Sequence, residues 1–285
     1  GTMSLFRFTK STPLGASLVK RCMSTAERRR CAVVTGSTSG IGRGIAERLA
    51  RAGYNVVLNG FGNPEQIEEL RSAMENDHGV DVRYHGADMS KPAEIKDLIS
   101  EAATVFGGVD VLVNNAGIQV VSPIEDFPED AYEKIIAINL SSCFYTTKYS
   151  IPHMKKHGWG RIINIASAHA KRASKFKSAY VAAKHGVAGL TKTVALEMGP
   201  HSITSNAVCP GYVLTELVEK QIPITAEARG ITEEEVVQNV MLGNQPTGEF
   251  VGIEELSGLV EFLCTNEARS VNGAILSVDG GWTAQ

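Results

Sequence analysis

Two residues four apart, Tyr180 and Lys184, could carry acid–base chemistry. On a helix that spacing places them on one face, one turn from each other. A free phenol titrates at about pH 10, too high for proton exchange at neutral pH. A lysine cation beside a phenol favours the phenolate, and such a pair could exchange a proton with an alcohol or carbonyl oxygen. Alone, the spacing has a plainer reading, an exposed lysine one turn beyond a half-buried tyrosine, since the chain holds seven tyrosines.

A second chemistry is offered by Gly36-Ser37-Thr38-Ser39-Gly40-Ile41-Gly42. A short apolar, β-branched run (31–35) precedes it and a helical stretch (43–52) follows. Strand, glycine turn and helix together make a phosphate site, because the glycines let the backbone approach and the helix start presents free N–H groups. Glycine-rich turns also occur for packing alone. The next strand (54–59) ends in Asn59-Gly60-Phe61-Gly62. An acid there would accept from both ribose hydroxyls of NAD, and a cation would welcome the 2′-phosphate of NADP. Asn59 is neither. It could still bond a ribose hydroxyl, and no cation stands in the turn before Arg43, which favours NAD. Asp88, at the end of strand 80–87, could accept from an adenine amino group. Asn114-Asn115-Ala116-Gly117 follows strand 109–113, and its small residues would let a flat ring pass close to the backbone.

These residues need a common scaffold, and the alternation of elements supplies one. Helices are expected over 64–77, 92–106, 130–156 and 178–198, and further strands over 160–166, 203–208 and 274–278. Alternating elements with near-continuous apolar strands point to a parallel sheet covered on both faces, a three-layer, doubly wound α/β fold of Rossmann type. One domain over 29–285 is expected. In such a sheet, ligands sit outside the carboxyl ends of the strands. The glycine turn, Asp88, Asn114 to Gly117, Ser167 and Pro210-Gly211 all fall there. The segment 216–250 breaks the alternation. It is acidic, interrupted by Pro223, Gly230, Gly243 and Pro246, and long enough to read as short helices forming a lid. A surface insertion without a role is the alternative.

Composition bounds the rest. The chain has 285 residues, 43% hydrophobic and 21% charged, so a large core is possible. A net charge of −3 argues against a nucleic-acid surface. No apolar run reaches the length of a membrane span. The five cysteines form no CxxC pair, so no zinc site or disulfide framework, and no other metal site, is expected. Residues 1–28 differ in kind. Arg7, Lys10, Lys20 and Arg21 occur there without an acid before Glu27, among many hydroxyl residues. That is the composition of a mitochondrial transit peptide, which implies a matrix protein. A basic tail without an address, on a cytoplasmic protein, is the alternative.

Over 30–282 the sequence resembles the short-chain dehydrogenase/reductases. The matching residues are Thr35-Gly36, Gly40-Ile41-Gly42, Asn114 to Gly117, Asn139, Ser167, Tyr180, Lys184 and Pro210-Gly211. The resemblance implies hydride transfer to or from a nicotinamide, with Tyr180 as acid/base and Lys184 tuning it while binding the nicotinamide ribose. It implies that Ser167 bonds the reacting oxygen and that Asn139 holds a water linking Lys184 to solvent. Val213 and Thr215 would join the cofactor site, Thr215 at the nicotinamide amide. Trp159 to Ser167, Tyr180 to Gly186, Val278 to Gln285 and the Asn59 to Gly62 turn resemble one group of that family, which takes NAD and interconverts D-3-hydroxybutyrate and acetoacetate. By that likeness Gln119, His169, Lys177 and Gln221 would hold the small carboxylate, Gln221 from the closed lid, and Trp282 would wall the pocket. His169 could instead be a surface-loop histidine. Lys177 could be a solvated member of the basic run Lys171, Arg172 and Lys175, and Trp282 could merely pack the C-terminal tail. That run, and Glu216 where the family commonly has proline, depart from the pattern. The family also implies a homotetramer. Two rivals remain: an NADPH-dependent 3-oxoacyl-thioester reductase, which should carry a cation near the glycine turn, and a non-catalytic NAD-binding scaffold, which has no use for four intact catalytic residues.

Overall fold

The computed structural model describes residues 28–285, so the expected leader lies outside the described residues except for Arg28. Arg28 belongs to the domain. Its guanidinium is 2.6 Å from Asp110 Oδ1 and donates to Phe106 O, pinning the chain at the amino ends of the strands.

Seven strands form the sheet: β1 (Cys31–Val34), β2 (Asn55–Asn59), β3 (Val82–His85), β4 (Val111–Asn114), β5 (Gly160–Ile165), β6 (Ile203–Pro210) and β7 (Ile275–Val278). The helices are α1 (Gly40–Arg51), α2 (Pro64–His78), α3 (Pro92–Phe106), α4 (Glu129–Ile136), α5 (Ser142–His157), α6 (Ser178–Met198), α7 (Glu216–Arg229), α8 (Glu233–Glu235) and α9 (Ile253–Leu263). All pairings are parallel, in the order β3-β2-β1-β4-β5-β6-β7. The chain order reverses between β1 and β4, which opens a crevice at their carboxyl ends.

Alternation along each strand feeds two cores. Ala32 and Val34 of β1 pack with Ile45 and Leu49 of α1 and Leu256 and Val260 of α9. Cys31 and Val33 face the other way, toward Ile95 and Leu98 of α3, Met154 of α5 and Met198 of α6. Both faces of the sheet are covered, and the central strands β1, β2, β4, β5 and β6 are buried throughout.

Three expectations change in detail. The single helix expected over 130–156 is two, α4 and α5, joined by a π turn over Ala137–Ser141 that contains Asn139. β3 keeps only the residues that pair with β2 and is shorter than 80–87, as befits an edge strand with a single neighbour. The segment after β6 is a 14-residue helix, α7, then the single turn α8 and a π turn over Val236–Met241. Pro223 lies inside α7 without ending it.

Candidate active site

A cavity of about 470 Å³ lies along the carboxyl ends of the strands, from Phe61 and Asp88 past Tyr180 to Gln221 and Trp282. Its size suits a cofactor with a small substrate.

The first end is built by the glycine turn. Gly36 (φ +61°) and Gly40 (φ +54°) adopt left-handed backbone, and a Cβ on Gly42 would collide with Gly36 O and Asn115 Nδ2. Ser39 starts α1 without a side-chain cap, and no acid stands in the first turn. The free N–H groups and the helix dipole there suit an anion. The turn is held by β4. Asn115 Nδ2 donates to Thr35 O (2.9 Å) and Gly36 O (2.8 Å), and Thr35 Oγ1 accepts from the N–H groups of Asn115 and Ala116.

Asn59 lines the cavity, and its side chain also has a task within the protein. It is fully buried. Its Oδ1 accepts from Gly36 N, and its Nδ2 donates to His85 O and Ala87 O at 3.0 and 2.9 Å. Both amide protons are engaged, so the side chain fastens the ends of β2 and β3 to the glycine turn and has no donor left for a ribose. Asp88 stays open to the cavity. Hydrogen bonds from Ser90 hold its carboxyl below the usual carboxylate range, so it is an acceptor. Phe61 stands 68% exposed at the rim.

In the middle, Tyr180 and Lys184 lie on one face of α6. Lys184 is buried, its Nζ donates to Ile165 O at 2.8 Å, and it lies 5.5 Å from the Tyr180 ring centroid. That bond ties the helix to the strand that delivers Ser167, which caps the turn Ala168–Ala170 by accepting from His169 N. Ala116, Gly117, Pro210, Gly211, Val213 and Thr215 line the same cavity. The Asn139 side chain is paired with Ile118, accepting from its N–H and donating to its C=O, both at 2.9 Å. Asn139 therefore sets the position of Gln119, and a water bound by Asn139 would use its main-chain carbonyl.

At the far end, Gln119, His169, Lys177, Gln221 and Trp282 line one space. His169 is no surface residue. It is 3% exposed, its ring meets Tyr180 and Trp282 edge-on, and its Nδ1 lies 3.2 Å from Ser167 Oγ. Burial, with Lys177 nearby, lowers its pKa to about 3, so the imidazole is neutral. The Ser167 hydroxyl can pair with Nδ1 of either ring tautomer. Nε2 is buried with no hydrogen-bond partner, and so is Gln119 Nε2. Lys177 is 6% exposed and faces only the Tyr212 hydroxyl, 3.4 Å from its Nζ. Among the described residues no carboxylate pairs with it. Burial, reinforced by Arg229, lowers its pKa to about 8. Phe176, just before it, has φ +68°, a strained value for a bulky residue of the kind that gathers at functional sites. Trp282 both walls the cavity and packs the tail, stacked 5.2 Å from Tyr212. Gln221 is buried, so α7 already covers this end.

Comparison with known proteins agrees. The profile of the family described as short chain dehydrogenase matches residues 30–225. The chain is 57% identical over 256 residues to a D-beta-hydroxybutyrate dehydrogenase of Rhizobium meliloti (strain 1021), covering 90% of this chain and 99% of that one. It is 53% identical over 257 residues to a protein of the same description from Cupriavidus necator, covering 90% and 98%. The chain belongs to the short-chain dehydrogenase family. Among solved structures, an actinorhodin polyketide ketoreductase variant with NADPH superposes with a TM-score of 0.84 at 32% identity, covering 90% of this chain and 98% of that one.

A short-chain dehydrogenase uses a nicotinamide cofactor, and the residues here fit one. The glycine cradle that a Cβ would fill, the uncapped start of α1 and the acceptor Asp88 provide for phosphates and adenine. Among the described residues no helix is long and apolar enough to cross a membrane. Tyr212, which lines the cavity, and Arg229, a charge near Lys177 that does not line it, escaped the sequence reading. Tyr212 forms the floor beneath Lys177, and burial raises its pKa to about 12, so it stays a neutral phenol. Its place two residues beyond Pro210, at a strand end, was the available signal. Arg229 lies at the end of α7, its guanidinium 5.9 Å from the Phe176 ring and its Nε without a partner. Nothing in its sequence context marks it.

Proposed function

We propose that the domain over 29–285 interconverts D-3-hydroxybutyrate and acetoacetate, with NAD as the redox partner. The observation that carries this reading is the set of unmatched donors at the far end of the cavity. A buried ammonium without a carboxylate (Lys177) and an orphaned amide N–H donor (Gln119 Nε2) are arranged for a small carboxylate, beside the unpartnered ring nitrogen His169 Nε2. A buried charge is tolerated when its partner arrives with the ligand, and charge-assisted bonds are the strong ones. The descriptions of the two relatives support the substrate. For the cofactor, the lining near the ribose end (Thr38, Ser39, Asn59, Gly60, Phe61, Asp88) contains no cation, which favours NAD over NADP.

Each residue then has a task. The carboxylate clamp fixes one end of the substrate, and Trp282 and Gln221 close off water. Ser167 donates a hydrogen bond to the oxygen on C3, and Tyr180 takes the hydroxyl proton in oxidation and returns it in reduction. Lys184, held by Ile165 O, keeps a positive charge beside the phenol. Bound NAD supplies the acceptor for the C3 hydride. Initial rates with D-3-hydroxybutyrate, its L-enantiomer and a 3-hydroxyacyl thioester, each with NAD and NADP, test the reading. Turnover confined to the D-acid with NAD is the expected result. Turnover of the thioester alone would remove the carboxylate site and leave the dehydrogenase.

Because Lys177 keeps its proton only below about pH 8, capture of the carboxylate weakens as pH rises through that value. The profile of kcat/KM against pH is expected to show an alkaline limb near there. Arg229→Gln removes the second cation and should move that limb upward, whereas an uncharged 3-hydroxy ester should show no limb of this origin.

The matrix address rests on the basic leader alone, since both relatives are bacterial. A homotetramer rests on the family resemblance, and in it Phe144 on α5 and Leu196 on α6, exposed here, are the apolar residues a partner would cover. Sedimentation velocity would test it.

A further inference from the structure

Four buried polar side chains lie beneath the catalytic residues, one from each element that delivers part of the site. Thr146 is on α5, Asn114 on β4, Asn164 on β5 and Thr191 on α6. Their exposures are 0, 3, 1 and 0%. Asn114 and Asn164 are direct partners in the β4–β5 register, so their side chains leave the sheet on the same face. Thr146 Oγ1 is 2.6 Å from Asn114 Oδ1, Asn114 Nδ2 is 2.8 Å from Asn164 Oδ1, and Asn164 Nδ2 is 2.9 Å from Thr191 Oγ1. Thr191 Oγ1 is 2.7 Å from Val187 O.

Both ends of this chain close on helix carbonyls. Thr191 Oγ1 faces Val187 O, and Thr146 Oγ1 lies 2.9 and 3.1 Å from Ser142 O and Cys143 O. Closed on Val187 O, every hydroxyl and amide donates toward α6; closed on Ser142 O, every one donates toward α5. Either direction pairs both amides and both hydroxyls, and aligned bonds of this kind strengthen one another in a buried setting.

The offsets to the site are regular. Thr191 is seven residues after Lys184, two turns along the same face of α6, and Thr146 is seven after Asn139, which stands in the π turn that leads into α5. Asn164 is three residues before Ser167, and Asn114 directly precedes the Asn115-Ala116-Gly117 turn. We infer that Thr146, Asn114, Asn164 and Thr191 act together as a positioning relay, holding α5, β4, β5 and α6 in the relative register that brings Ser167, Tyr180 and Lys184 to one substrate oxygen. The inference rests on the dehydrogenase reading of the site.

Thr191→Val keeps the volume and removes the hydroxyl. It is expected to lower kcat about tenfold while both KM values stay within about twofold, because misplacement acts on the reacting geometry rather than on ground-state binding. Thr191→Ser should restore kcat. Thr146→Val, at the opposite end of the relay, should behave alike, and the double variant should lose less than the product of the two losses, as members of one network do. Ile95→Val, a cavity control in α3, should lower Tm and leave kcat unchanged. If the unsubstituted enzyme does not turn over the D-acid, the substrate reading fails. The relay is then decided by amide hydrogen exchange, where Thr146→Val on α5 should accelerate residues 178–187 of α6. Variants that match the Ile95→Val control in kcat, or Thr146→Val without effect on 178–187, would overturn the relay.

Discussion

Tyr180→Phe is expected to lower kcat by about 10³-fold, the scale of a lost general acid–base group, while NAD binding, followed by cofactor fluorescence, stays within about threefold. The size of the loss follows from what else lines the cavity. His169 cannot substitute, since burial and Lys177 hold its pKa to about 3, which makes it too weak a base at neutral pH. Tyr212 cannot give up its proton, because burial raises its pKa to about 12. Lys177, its pKa lowered by burial to about 8, faces the far end of the cavity, where the carboxylate is held. Tyr180 is the remaining group beside Ser167, with Lys184 one turn away and fastened to Ile165 O. Phenylalanine keeps the ring against His169, so packing and cofactor site survive. Ordinary turnover in this variant would overturn the assigned role.

The same residues explain why much of the site was legible in the sequence. Tyr180 and Lys184 are bound by helical spacing, the glycine turn by its neighbours in the chain, and Ser167 by its position at a strand end. Each is a local relation, and the doubly wound topology gathers the strand ends by rule. What could not be read depends on contacts across the sheet. The place of Asn59 in the turn was legible, but its partners were not. Its amide is engaged by His85 O, Ala87 O and Gly36 N, from two other strand ends. The position of Asn139 was legible, but not that the π turn places its amide on Ile118, 21 residues away. Arg229 and Tyr212 matter only once α7 has folded over Lys177, and the sequence of 216–250 gave a lid without saying which residues face inward.

Asn59 also sharpens the cofactor argument. With its side chain engaged, discrimination at the ribose falls to the main chain of the Asn59 to Gly62 turn and to the absence of a cation. Thr38 Oγ1 donates to Phe61 O at 3.0 Å, and a Cβ on Gly60 would lie 2.6 Å from that hydroxyl oxygen. The turn is thus packed onto the glycine loop, leaving no room there for a long basic side chain from residue 60. Preference for NAD in this reading comes from what the turn excludes.

Lys177→Met is expected to reduce kcat/KM for D-3-hydroxybutyrate by about 10²–10³-fold, since leaving a buried charge without its partner costs roughly 3–5 kcal/mol. The loss should fall mainly on KM, with NAD affinity unchanged and activity on an uncharged 3-hydroxy ester spared. Methionine matches the lysine stem in shape, so little packing is lost. Stability should move the opposite way. The folded-state pKa of Lys177 lies below its ordinary value, so the unfolded chain binds more protons between about pH 8 and the ordinary lysine pKa of about 10.4. The parent therefore gains stability as pH rises through that window and carries the burden of a buried ammonium below it. The Met variant lacks this burden, so its Tm at neutral pH should be higher than the parent's, with the alkaline gain gone. A residue kept for packing would show the reverse: a lower Tm, and equal losses on acid and ester. Lower activity on the acid with higher stability is what a charge held in reserve for a substrate carboxylate must produce.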